Sequence, residues 1–182
     1  MAPKQAGVSE AYFRRLVKAH EELGIPDSYR ETTLLPIYEE PDELVDIGPD
    51  CLQRPQRLTP AAALAWSCME QAAAQQGTTL LLVSAYRGLE YQSEVIRKKL
   101  AAGRELIEIL KVNAAPGFSE HHTGRAIDLG TPDCALLEED FETTPAFHWL
   151  TENAGDFGFV MSFPRDNPFG ISYEPWHWCF RS

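Results

Sequence analysis

The chain is 182 residues long and 44% hydrophobic, enough for one well-buried core and short for two domains. Its 27 acidic residues outnumber 16 Lys and Arg, giving a net charge of −11. Such a surface repels nucleic-acid phosphates, anionic wall polymers and anionic lipid headgroups, so neither nucleic acid nor a membrane is an expected partner and a small peptide suits it better; the same acidity would also keep a soluble protein dispersed.

Met1 to Glu10 holds no apolar run of signal-peptide length, and no later segment approaches the ~20 apolar residues that cross a bilayer. The expectation is a cytoplasmic monomer, or a periplasmic protein if a signal was removed. Ser9 caps a predicted helix in which Phe13, Leu16, Val17, His20 and Leu23 recur at helical spacing, ending near Gly24 and Pro26. His20 belongs to that stripe and reads as structural. Residues 26 to 58 carry five prolines and the acidic cluster Glu39, Glu40, Asp42 and Glu43, which favours an extended cover segment over regular structure. Residues 1 to 58 then form an N-terminal helix and cover within the same domain, and 59 to 182 form its core.

Thr59-Pro60 opens a second helix with Leu64, Trp66 and Met69, closed by Gly77. Thr79 to Val83 reads as a buried strand that delivers Tyr86 and Arg87 at its end. Gln92 to Leu100 and Arg104 to Val112 are predicted helices, with the Val95 to Leu100 stretch a solvated amphipathic face. Ala126 to Leu129 reads as a strand with Ala126 and Asp128 on one face and Ile127 and Leu129 facing the core. Pro145 to Gly155 is a predicted helix, His148 within it structural; Gly158 to Phe163 and Ile171 to Phe180 are predicted strands. Cys51, Cys68, Cys134 and Cys179 form no CxxC pair, so free thiols are expected, with two disulfides arithmetically possible.

Two short segments carry the chemistry: Ser119-Glu120-His121-His122-Thr123-Gly124-Arg125-Ala126-Ile127-Asp128 and Tyr173-Glu174-Pro175-Trp176-His177-Trp178. A catalytic zinc takes three protein ligands and keeps a position open, and His121, Asp128 and His177 supply such a set. His122 and Cys179 are the alternatives. In an extended backbone His122 would point away from His121. Glu174 stands just before His177, placed to act as a general base without coordinating.

The pattern Ser119-x-His121-x-x-Gly124-x-Ala126-x-Asp128, followed by Glu174-x-x-His177-Trp178, resembles the signature of the VanY-type D-alanyl-D-alanine carboxypeptidases, the family that also holds VanX dipeptidases and L,D-carboxypeptidases. Ser84-Ala85-Tyr86-Arg87-Gly88-Leu89-Glu90-Tyr91-Gln92 resembles a third segment of that family, with Gly88 where Ser is common. The likeness runs from about residue 60 to 180. It implies a zinc (Zn2+) metallopeptidase acting on a peptidoglycan stem peptide or muropeptide. Arg87 would face the substrate carbonyl, and Ser119, with Gln92 nearby, would bind the terminal carboxylate; Tyr86 and Trp176 complete the expected substrate contacts. The expected fold is α+β, one domain with a small, mainly antiparallel sheet carrying the zinc site and flanked by helices. D,D and L,D cleavage both remain open. A stem-peptide endopeptidase and a non-catalytic zinc module are the rival readings, the latter disfavoured by the presence of Glu174 and Arg87.

Overall fold

The computed structural model describes residues 7–181; Met1 to Ala6, on which part of the reading of the N-terminus rests, lie outside the described residues. Helix α1 (Glu10–Leu23) begins where Ser9 Oγ accepts the N–H of Tyr12 at 3.2 Å and ends at Gly24, whose φ of 71° no β-carbon opposes. Its buried stripe is Tyr12, Leu16, Ala19, His20 and Leu23, rotated slightly from the expected one, so that Phe13 and Val17 are only partly covered. His20 is fully buried and bonded through Nε2 to the carbonyl of Pro116 at 2.9 Å.

The expectation of an irregular cover over residues 26 to 58 holds for residues 33 to 44, which carry no helix or strand, and is corrected elsewhere. Helix α2 (Asp27–Thr32) is followed by an antiparallel hairpin of β1 (Val45–Pro49) and β2 (Pro55–Leu58). Pro49 and Pro55 sit opposite one another at the turn end of the hairpin, where a missing N–H interrupts little of the ladder. Buried Asp50 closes the turn, accepting from the N–H groups of Leu52 and Arg54, from Arg54 Nε and from Gln56 Nε2 at 2.7–3.0 Å. Prolines thus bound a regular element here without preventing it.

Helix α3 (Pro60–Gln75) has Thr59 at its cap position, yet the hydroxyl reaches the carbonyl of Gly124 at 3.4 Å and does not cap the helix. Ala62, Trp66, Met69 and Ala73 form its inner face, and Leu64 points to solvent. The chain continues through β3 (Leu81–Ser84), α4 (Leu89–Ala101), α5 (Leu106–Val112), β4 (Ala126–Gly130), α6 (Pro145–Asn153), β5 (Phe159–Met161) and β6 (His177–Phe180). The sheet order is β3-β4-β6-β5, antiparallel throughout, so the α+β expectation holds. The last predicted strand is shorter than expected. Residues 171 to 176 leave the sheet because Pro175 cannot donate to a ladder and the N–H of His177 turns back to the carbonyl of Glu174 at 3.1 Å.

Side-chain alternation divides the interior in two. Ile127, Leu129, Trp178 and Phe180 join Trp66, Met69, Leu150 and Phe159 in one apolar cluster. Leu16, Leu89, Ile96, Ile109, Phe118 and Phe163 build a second one from α1, α4 and α5. Asp128 and His177 occupy the other face of β4 and β6, between strand and second cluster, and are as buried as the apolar residues. No helix among the described residues is long and apolar enough to cross a membrane, and the four cysteines are free.

Gly117 packs directly against Leu16 of α1. Its φ is 88°, its carbonyl accepts from the N–H of Tyr38 at 2.8 Å, and an added β-carbon would collide with Leu16 Cδ1. Gly117→Ala combines left-handed strain with overpacking and is expected to lower unfolding free energy by roughly 2–4 kcal/mol. Urea denaturation measures it, and an unchanged midpoint would contradict the tight contact.

Candidate metal centre and substrate cleft

The register of β4 with β6 places Asp128 directly opposite His177, and residues so paired project to the same face. His177 Nδ1 lies 3.0 Å from Asp128 Oδ1. His121 comes from the turn of 3-10 helix Glu120–Thr123 just before β4, which Gly124 closes at φ 63°. Its Nε2 lies 3.2 Å from Asp128 Oδ2. One ligand-capable atom from each of the three residues falls within 4.8 Å of the others, and all three side chains are buried.

Proton accounting at these rings is informative. His121 Nδ1 donates to the carbonyl of Ala85 at 2.6 Å, and burial first, then the charge of Arg87, holds the ring's pKa down at about 4. The ring is therefore neutral, with a bare Nε2. That atom has no hydrogen-bond partner although a carboxylate oxygen stands beside it, because two lone pairs face each other. A buried acceptor left in this way costs stability unless a cation lies between the two. His177 is different: burial pulls it down, but hydrogen bonds to Asp128 and to Glu120, the latter from Nε2 at 3.0 Å, push it up to about 10. Asp128 is held well below the usual carboxylate range; burial opposes this, and the hydrogen bond to the charged His177 ring and the Arg87 guanidinium outweigh it.

His122 has no free nitrogen to offer. Its Nε2 accepts the N–H of Gly117 at 2.9 Å and its Nδ1 donates to the carbonyl of Arg87 at 2.6 Å. The two adjacent histidines diverge because the backbone turns here; the extended conformation expected from sequence is corrected. Cys179 shares the face of His177 but stays outside the cluster, its thiol pushed up to about 12 by burial.

Arg87 is fixed from both sides, its N–H on the carbonyl of His121 at 3.3 Å and its carbonyl on His122. The guanidinium reaches Asp128 Oδ2 at 3.3 Å, and its buried Nε has no partner. Glu174 stands 4.0 Å from His177 Nδ1. Burial raises its carboxyl to about 7; His177 opposes the shift and Asp128 adds to it. Asp128, Arg87, Glu174 and Trp176 line one cleft of about 510 Å³.

Three expected substrate contacts lie off that cleft wall. Gln92 is buried and donates from Nε2 to the carbonyl of Ala114 at 2.7 Å. Tyr86 packs under Arg57, 5.3 Å from guanidinium to ring centre, with its hydroxyl pushed up to about 12 by burial and the nearby Glu40. Ser119 is buried, and its hydroxyl makes no hydrogen bond among the described residues. Gly88, the departure in the third motif, has a local reason. A β-carbon there would lie 2.7 Å from Glu40 Oε1, which accepts the N–H of Leu89 at 2.8 Å and so supplies the helix-start acceptor that a Ser would offer.

Glu120 escaped the sequence reading. It is 4% exposed, and besides His177 it is bonded by Arg181 and by Tyr38 Oη at 3.4 Å. The available signal was a carboxylate directly beside a ligand-type histidine in the first motif.

The family model described as VanY, D-alanyl-D-alanine carboxypeptidase, matches residues 55–182, and the chain belongs to that family. It is 30% identical over 139 residues to a D-alanyl-D-alanine carboxypeptidase of Enterococcus faecium, covering 75% of this chain and 41% of that protein. The chain spans about two-fifths of the length of the curated relatives it matches. Among solved structures it is similar to the LD-carboxypeptidase LdcB, with a TM-score of 0.71, 27% identity and coverage of 81% of this chain and 74% of that one. It is also similar to a mutant of a vancomycin-resistance D,D-pentapeptidase VanY in complex with Zn(II), with a TM-score of 0.61, 25% identity and coverage of 81% and 87%.

The charge balance around His177 is testable without metal. Glu120→Gln removes one of two carboxylates that stabilise the imidazolium, so the ring's pKa in metal-free protein should fall from about 10. Nitrogen-detected NMR titration of His177 measures it; an unmoved titration would show that Glu120 does not charge the ring.

Proposed function

We propose that the chain is a zinc-dependent carboxypeptidase that removes the C-terminal D-alanine from peptidoglycan stem peptides. The observation that carries this reading is the bare, buried Nε2 of His121 facing Asp128, with a carboxyl raised to about 7 at Glu174 beside the same cluster. His121, Asp128 and His177 would hold the metal, the two rings using the nitrogens not engaged by Ala85 and Glu120. The donor set, two imidazoles and a carboxylate, is one that zinc accepts. Zinc when bound supplies Lewis acidity toward water and the scissile carbonyl.

The remaining steps belong to the chain's own groups. Glu174 accepts the proton of the attacking water and returns it to the leaving amine; a carboxyl near neutral pKa suits both transfers. Arg87 offers a permanent forked charge to the developing oxyanion, and its unpartnered Nε is a ready donor. Trp176 forms a wall of the cleft. Ser119 and Gln92 remain proposed, by family likeness, at the terminal carboxylate, and Tyr86 beside them. Glu174 and Arg87 together on one cleft favour an enzyme over a non-catalytic zinc module.

Zinc binding should show one equivalent per chain, lost in His177→Ala. Metal-free His177 carries a proton on both nitrogens up to about pH 10, so metal at Nδ1 displaces one. Apparent affinity should therefore rise with pH, by about tenfold per unit across the neutral range, with proton release in calorimetry. Pure zinc retention in His177→Ala would remove the ligand assignment.

Defined muropeptides followed by mass analysis test the reaction. Loss of the fifth residue from a pentapeptide reports D,D cleavage, and loss of the fourth from a tetrapeptide reports L,D cleavage. Glu174→Ala should keep zinc and fold while turnover drops roughly 10²–10⁴-fold. In the unsubstituted enzyme, activity should fall on the acid side, as protonation of Glu174 removes the base. Joint loss of zinc and turnover in Glu174→Ala would make Glu174 a ligand instead.

A further inference from the structure

The cleft that opens from Asp128 and Glu174 has a cationic wall. Arg87, Lys99 and Arg104 line it, in a chain whose net charge is −11. The pairing of charges on α4 differs between its faces. On the outer face Arg97 is paired with Glu94 at 2.5 Å and Glu22 at 3.7 Å, and Lys98 with Glu94 at 3.9 Å. Lys99, the next residue, and Arg104, just beyond the helix, have no carboxylate within ion-pair distance among the described residues.

A cation in the last turn of a helix is favoured by the helix dipole with or without a ligand. That accounts for a lysine at 98 or 99. It does not account for Arg104 and Arg87 converging with Lys99 on one wall, an arrangement in which burial and the like charges of Arg104 and Arg87 depress the Lys99 ammonium. An anion in the cleft would relieve that repulsion. Glu138 and Glu139 also line the cleft, and Glu139 is held by Arg165 at 3.3 Å.

Hydrolysis at the scissile bond calls on Arg87 alone among these cations. Arg104 is solvent-exposed and lines the same cleft as Asp128 and Glu174. We propose that Lys99 and Arg104 form a subsite for a second carboxylate of the substrate, upstream of the scissile bond and distinct from the terminal one. This rests on the carboxypeptidase reading for the direction in which the peptide lies.

The test uses stem peptides that all keep a free C-terminus. Their upstream carboxylates, on the second residue or on the side chain of the third, are either free or amidated one at a time. Affinity for zinc-loaded Glu174→Ala protein is measured by calorimetry, and kcat/KM is measured with the unsubstituted enzyme. One of the two free acids should bind roughly tenfold more tightly than its amide, and which one identifies the carboxylate. In Lys99→Gln/Arg104→Gln that preference should shrink toward unity, while a Lys99→Arg variant retains it. Equal binding of acid and amide at both positions overturns the subsite, as does a preference that survives the double substitution. If the preference is present in binding but no peptide is cleaved by the unsubstituted enzyme, the subsite stands and the proposed reaction falls.

Discussion

Asp128 and His177 are cross-strand partners on β4 and β6, and most of the site is arranged by that one pairing. Antiparallel registry brings the two side chains to the same face at contact distance with no intervening flexible backbone. A one-residue slip would turn His177 into the apolar cluster and bring Trp178 to the cleft side. Trp66, Met69 and Leu150 pack with Ile127, Leu129 and Trp178, so the hydrophobic core fixes the register, and the register fixes two of the three clustered groups. Glu120 then engages His177 Nε2 and leaves Nδ1 facing Asp128, the arrangement in which a carboxylate behind an imidazole orients its other nitrogen.

The third group depends on a different support. His121 Nδ1 is held by the carbonyl of Ala85, whose own N–H is accepted by Gln56 Oε1 at 3.0 Å. Gln56 in turn donates to Asp50 in the hairpin turn, and the N–H of Thr59 donates to the carbonyl of Gly124 at 2.9 Å. A hydrogen-bonded path therefore runs from the β1–β2 hairpin to the tautomer of His121. The acidic segment contributes as well: Glu40 caps α4 and pairs with Arg15 at 3.1 Å. The N-terminal third is structural support for the site, and its acidity is partly consumed in holding helices together.

Two opposite electrostatic solutions coexist within a few ångströms. Around His177 and Asp128, buried opposite charges are paired and hydrogen-bonded, which offsets their desolvation. Glu174, with no such direct bond, keeps its proton more tightly because burial dominates. Carboxylates that are close in sequence or space thus take separate roles through their surroundings, one set held ionised and the other poised near neutrality.

The motif residues His121, Asp128, Glu174 and His177 were legible in the sequence because their chemistry and short spacings are local properties, as were the helix starts at Ser9 and Thr59 and the alternation in Ala126 to Leu129. The hairpin between 45 and 58 was not, since prolines mark where a ladder is interrupted and say nothing about whether strands form between them. Glu120 was missed because its partners, Tyr38, His177 and Arg181, are distant along the chain. The divergence of His121 from His122 was expected for the wrong backbone, a strand in place of a tight turn. Sequence determined which groups were present and which segments alternate; tertiary structure decided which ring nitrogens are free, which carboxyl keeps its proton and which cations lack partners, because these depend on register and burial between segments far apart in the chain.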